Sequence, residues 1–260
     1  LSGMLLVSAA LSNSSLEFVS FFGDDVFLIL PFVRYAAPLV LTFIAVALVI
    51  VPWPTRGPRG SAQLAPRTVT TFAQKGWLRT AAVTVMTLLA VTAFAGLISS
   101  PDEAGRYVMY EVKVSSNSSA STTTYGWWFA VPCLIAIAAI VALAALALFS
   151  ISRPSLSIDE GKDVETRTLR TRNVLAITSG GLLIHLGAVL SSLYGTSRLR
   201  TGFEGGSVGW VELGTSFAAI GPVLLVASYA SVILGTGMWW YTLVSTAAVR
   251  LPRTRESVPA

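Results

Sequence analysis

Five long apolar runs separated by short polar stretches dominate the chain, at about 31–53, 80–99, 126–150, 174–194 and 214–247. Each meets the roughly 20 residues that an α-helix needs to cross hydrocarbon. Inside a bilayer the backbone must satisfy its own hydrogen bonds, so uninterrupted runs of this length predict helices. The expected fold is all-α: a polytopic transmembrane helical bundle with five spans, forming one integral membrane domain over residues 1–260. The last run is longer than one span needs. Gly235-Thr236-Gly237 is expected to break it, leaving Trp239, Trp240 and Tyr241 as an aromatic anchor at the interface. Trp53 and Trp77 fall on the same side, and Trp127, Trp128 and Trp210 on the opposite one.

The polar stretches differ in charge. Segment 54–79 holds Arg56, Arg59, Arg67, Lys75 and Arg79 and no acid; segment 151–173 holds Arg153, Lys162, Arg167, Arg170 and Arg172. The tail adds Arg250, Arg253 and Arg255, while the alternate stretches carry only Arg106, Lys113, Arg198 and Arg200, with Arg34 near a span end. Basic residues collect in loops that stay in the cytoplasm, so 54–79, 151–173 and the C-terminus are expected inside. Residues 11–30, 100–125 and 195–213 then lie outside, rich in Ser, Thr and Gly. Asn13 and Asn117 open Asn-x-Ser triplets there, glycosylation acceptors in a eukaryotic secretory chain but in a bacterial one the chance product of Ser-rich loops.

Composition adds exclusions. Hydrophobic residues make up 53% of the chain and charged residues 12%, about half the share of a soluble domain. A water-soluble fold and a disordered chain are excluded. The net charge of +5 is accounted for by the basic loops, so no nucleic-acid partner is expected. The Arg- and Ala-rich, Lys-poor composition points to a bacterial chain, placing it in the inner (plasma) membrane. One cysteine, Cys133, excludes an internal disulfide and a Cys-rich metal site.

Three of the spans begin alike, at Pro38, Pro132 and Pro222, each with an aromatic upstream (Tyr35, Phe129, Phe217). Proline is tolerated in a first helical turn because its missing N–H has no partner there anyway. The likeness reads either as a threefold helix-hairpin repeat or as shared composition. In the repeat reading, residues 1–10 are the stump of a sixth span, and the parent has both ends in the cytoplasm. Three two-helix units are similar to the plan of mitochondrial carriers. That likeness fails where it matters, because apolar residues follow all three prolines in place of the carriers' acidic and basic signature.

The chemistry on offer is sparse. Sites for metal or haem need clustered His, Cys or carboxylates, and no nucleotide, zinc-protease or serine-hydrolase motif is present. No cofactor is expected. The acidic pair Asp24-Asp25 reads as a solvated loop or, less simply, as a cation or lipid-headgroup site. His185 is the one titratable residue deep in a span, a position that is functional by default. Its small neighbours Gly181, Ala188 and Ser192 predict that it faces another helix. A single interhelical hydrogen bond from neutral imidazole is favoured over a proton relay, which uses several ionisable groups. Small residues form stripes for close packing at Ala176, Gly180, Gly187 and Ser191, at Ala227, Ser231 and Gly235, and at Ala138, Ala142 and Ala145. Segment 157–172, acidic then basic, is expected to be a solvated loop or a short interfacial helix, with a coupling helix on a cytoplasmic partner as the sharper alternative.

Bare spans, small-residue faces and absent catalytic groups lead to a non-catalytic integral membrane subunit or accessory protein of a larger complex, of respiratory or exporter type. Its partners would be the lipid bilayer and other membrane subunits. A permease for a neutral or apolar solute and a membrane enzyme acting on outer-leaflet lipid are the alternatives, and whether the chain is an enzyme stays open.

Overall fold

A computed structural model describes residues 26–50, 72–114, 119–152, 160–204 and 210–250. Within them lie five long helices: α1 (Val26–Ile50), α2 (Lys75–Leu97), α3 (Trp127–Ser152), α4 (Glu160–Ser197) and α5 (Gly221–Arg250). All five are long and apolar enough to cross a membrane. The chain is thus a mostly helical, multi-pass membrane protein. The N-terminal stump, Asp24, Asp25, Asn13, Trp53 and Asn117 lie outside the described residues.

The helices are not equivalent. In α4 the membrane-crossing stretch is 78% buried, against 22–33% in the other four. Every other helix packs on α4, most extensively α5. An apolar helix exposed to lipid gains nothing by burial, so a central helix must offer its neighbours something else. The sequence of α4 offers small residues on two sides and polar groups at several levels.

The two described stretches at one end of the bundle, expected as loops, are β-ribbons. In the first, β1 (Ser100–Pro101), β2 (Tyr107–Lys113) and β3 (Ser119–Thr123) pair antiparallel in that order, with Met109 opposite Thr123 and Lys113 opposite Ser119. In the second, β4 (Arg200–Glu204) pairs antiparallel with β5 (Trp210–Gly214), Arg200 opposite Gly214. Antiparallel pairing satisfies the backbone groups of the segments that link one apolar helix to the next. The β1–β2 turn is closed by the Asp102 side chain, whose Oδ1 accepts the N–H groups of Ala104 (3.0 Å) and Arg106 (2.8 Å). Gly105 turns the chain there at φ +76°, a region open to glycine. Phe217, in the link between β5 and α5, lies edge-on to Phe94 of α2 and Tyr110 of β2.

Three expectations change. First, the last span does not break: α5 runs unbroken through Gly235 and Gly237. Gly235 lies instead at a helix crossing, and a Cβ there would meet the Gly180 carbonyl oxygen at 2.5 Å. Second, the charged segment after Glu160 is neither a solvated loop nor a separate helix. It is the first turns of α4, which at 38 residues is about 57 Å long and outruns the ~30 Å hydrocarbon core. Third, the threefold repeat of proline-led spans is not seen. Pro38 lies in the interior of α1 and Pro132 more than a turn into α3, and only Pro222 falls in a first turn. The order helix, β-ribbon, helix occurs twice among the described residues but with different packing. The α4–α5 pair is the most intimate in the bundle, whereas α2 packs more on α4 than on α3.

At the end opposite the ribbons, arginines of α4 reach the ends of other helices. Arg167 is buried with Asp163, Nε to Oδ2 at 2.8 Å. The same guanidinium donates to the Ile151 carbonyl at the end of α3 and lies 5.5 Å from the Phe72 ring centroid. Arg170 donates to the Val49 carbonyl at the end of α1 (3.2 Å). Arg172 sits over the Tyr241 ring of α5 at 4.8 Å. The last carbonyls of a helix lack intrahelical partners and carry its negative dipole end, so cationic donors stabilise them.

Candidate functional site

The residue singled out within a span, His185, is fully buried in the second half of α4. Its Nδ1 is 2.8 Å from the backbone carbonyl of Tyr35 in α1. A carbonyl oxygen only accepts, so Nδ1 carries the proton. Nε2 is then the acceptor, and the Tyr125 hydroxyl stands 3.4 Å from it, at the long end of hydrogen-bond range. Tyr125 precedes α3 and points its fully buried ring into the bundle, edge-on to Tyr35 at 4.6 Å and to His185 at 5.9 Å. Phe129 packs on Tyr35 at 5.4 Å. Cys133 is buried against the same aromatic group. The histidine therefore joins two other elements, where one interhelical bond was expected.

Why this helix face meets α1 is visible in the sequence. Gly181, one turn before His185, lies against Thr42 of α1, and any Cβ at 181 would collide with that side chain. Thr42 in turn donates to the Pro38 carbonyl at 2.5 Å. Beyond His185, Ser191 accepts a hydrogen bond from the Arg34 guanidinium at 2.8 Å. Arg34, near a span end in the sequence, is exposed and tied to α4 by that bond.

The first two small-residue stripes come together. Gly180 and Gly187 of α4 face α5, where a Cβ would meet Trp239 at 2.7 Å and Val232 at 2.6 Å respectively. Ser228 donates to the Gly187 carbonyl (2.8 Å) and Trp239 Nε1 to the Ile177 carbonyl (3.0 Å). Ala176 is fully buried, Ser231 is buried and Ala227 packs against the core, so the stripes serve contact within the chain. The third stripe does not. Ala138, Ala142 and Ala145 are all exposed on the outer face of α3.

Comparison with family models, with curated proteins and with solved structures finds no match to this chain. Its reading rests on its own geometry.

Chemically, the His185 cluster is a set of donors and acceptors that consume one another. Among the described residues, no three His, Cys, Asp or Glu side chains are grouped to hold a metal ion. Outside the spans, Asp102 is clearly perturbed. Desolvation pushes its carboxyl up, but the backbone N–H and guanidinium of Arg106 and the Ala104 N–H outweigh it, holding it below the usual carboxylate range. Reading the sequence missed Tyr125 altogether. A tyrosine 60 residues from its partner leaves no local signal except its position just ahead of a proline-led span.

Proposed function

We propose that the chain is a non-catalytic integral membrane subunit or accessory protein of a larger assembly in the bacterial inner membrane. In this reading the arginine-rich end and the C-terminus are cytoplasmic and the β-ribbons lie outside. The observation that carries it is the contrast between the stripes. Two are consumed where α4 crosses α5, whereas Ala138, Ala142 and Ala145 stay exposed on α3 between Ile135 and Leu146, themselves 67% and 59% exposed. Small residues facing lipid gain nothing there, but they let a second helix approach closely. A closed His185 cluster supports the same reading, since a relay or a coupled permease needs ionisable groups with open hydrogen-bonding positions.

The test is native co-purification in mild detergent, comparing the natural chain with Ala142→Phe. Stoichiometric membrane partners that dissociate from the variant, while its thermal midpoint is unchanged, are the expected result. A monodisperse chain without partners overturns the subunit reading. A reporter fused after Ala260 that is active only in the cytoplasm is expected; activity outside the cell reverses the orientation.

A further inference from the structure

Two adjoining depressions mark the ribbon end of the bundle. The larger, about 910 Å³, runs between the first turns of α1 and α3 and is walled by Ile29, Phe32, Trp128 and Val131. That volume is in the range of small-molecule sites. The smaller, about 590 Å³, lies over β2 and β3 and includes Asp102, Glu103 and Glu111. Ala104 and Arg106 line both. Moving along the surface, one therefore passes from an apolar groove to a guanidinium and then to carboxylates.

Arg106 is built into that junction. Its Nε is held by Asp102 Oδ2 at 2.8 Å, and its guanidinium carbon lies 6.0 Å from the Trp128 ring centroid. Nε being committed to Asp102, the fork still has the donors of its two terminal nitrogens to offer an anion. Beyond it, the Glu103 and Glu111 side chains are exposed. Trp127 and Trp128 set the groove at the depth where tryptophan gathers in membranes, the boundary of hydrocarbon and headgroups.

We infer that these paired depressions bind a phospholipid whose headgroup carries a primary ammonium beside its phosphate, that is, an ethanolamine phospholipid. An acyl chain lies along Ile29, Phe32 and Val131. The phosphate takes the open donors of Arg106. The ammonium, with three N–H donors, reaches the carboxylates of Glu103 and Glu111. Charge order selects this class: an anionic headgroup without an amine would set its extra negative charge or hydroxyls against those carboxylates. A choline headgroup offers the charge but no N–H. The assignment concerns the leaflet at the ribbon end and stands whichever way round the chain sits.

The probe is an equimolar mixture of phosphatidylethanolamine, phosphatidylglycerol and phosphatidylcholine, added to the delipidated full chain, with retained lipid counted by native mass spectrometry. Retention of the ethanolamine lipid should exceed that of each of the others about five-fold, the ratio that one favourable exposed ion pair supplies. Val131→Trp, which fills the groove, should lower retention of all three. Glu103→Gln with Glu111→Gln should remove the headgroup preference but not the binding. Arg106→Gln should weaken binding of all three while the groove stays intact. Thermal midpoints within the error of the natural chain show that the variants fold. Equal retention of the three lipids overturns the inference, as does a preference that survives both the tryptophan and the double glutamine changes.

Discussion

The imidazole of His185 donates from Nδ1 to the carbonyl oxygen of Tyr35, 150 residues earlier in the chain, at 2.8 Å. Because that carbonyl cannot donate, the bond fixes the tautomer and leaves Nε2 to accept from Tyr125.

Removing either partner should therefore be felt unequally. His185→Ala strips two contacts and opens a cavity, for an expected loss of about 2–3 kcal/mol. Tyr125→Phe leaves Nε2 without its donor and should cost about 1 kcal/mol. His185→Asn keeps a donor and should fall between the alanine variant and the natural chain. Reversible denaturation in mixed micelles measures all three. If Tyr125→Phe costs the same in the His185→Ala background as in the natural chain, the two side chains are not coupled.

Two glycines in α5, two positions apart, should respond with opposite signs. A Cβ at Gly235 meets the Gly180 carbonyl and Ile184, neither of which can yield without separating the helices, whereas a Cβ at Gly237 meets nothing within 4 Å. Gly235→Ala should destabilise by about 1–3 kcal/mol. Gly237→Ala should stabilise by about 0.5–1 kcal/mol through backbone entropy. Thermal midpoints of the two variants decide the matter, and two shifts in the same direction would contradict the crossing described.

The buried Asp163–Arg167 pair should be intolerant of exchange. Arg167→Met leaves a buried carboxylate, for an expected loss of about 3–5 kcal/mol. The swap of Asp163→Arg with Arg167→Asp restores a pair but takes the guanidinium from the Ile151 carbonyl. It should recover less than half of that loss. Full recovery of the midpoint by the swap would mean that the contact with α3 contributes nothing.

Apolar run length was enough to place the helices: spans expected at 80–99 and 126–150 correspond to Lys75–Leu97 and Trp127–Ser152. Run length says nothing about which helix is central, because a hub and a lipid-facing span are equally apolar. In α4 that information was carried by Gly180, Gly181 and Gly187 on two faces. The charged start of α4 was misread because charge suggests solvent. The four-residue spacing of Asp163 and Arg167, which is a helical one, was the signal available. Tyr107–Lys113 reads as a strand only once its neighbours are known, since Ser119–Thr123 opposite it carries no hydrophobic alternation. The Tyr125–His185 contact depends on tertiary packing alone.

The hub of this bundle is also made after three of the four helices it packs against. When α1 enters the bilayer, its Tyr35 and Val49 carbonyls have yet to meet His185 and Arg170, and the end of α3 likewise waits for Arg167. At roughly 5–20 residues per second, the 150 residues between Tyr35 and His185 take roughly 8–30 s to make. For that interval α1 is made but lacks its contacts with α4 and has α3, once that is made, as its other main neighbour. Condensation around the hub must wait for α4, so defects in α4 should show first as chains degraded during biogenesis.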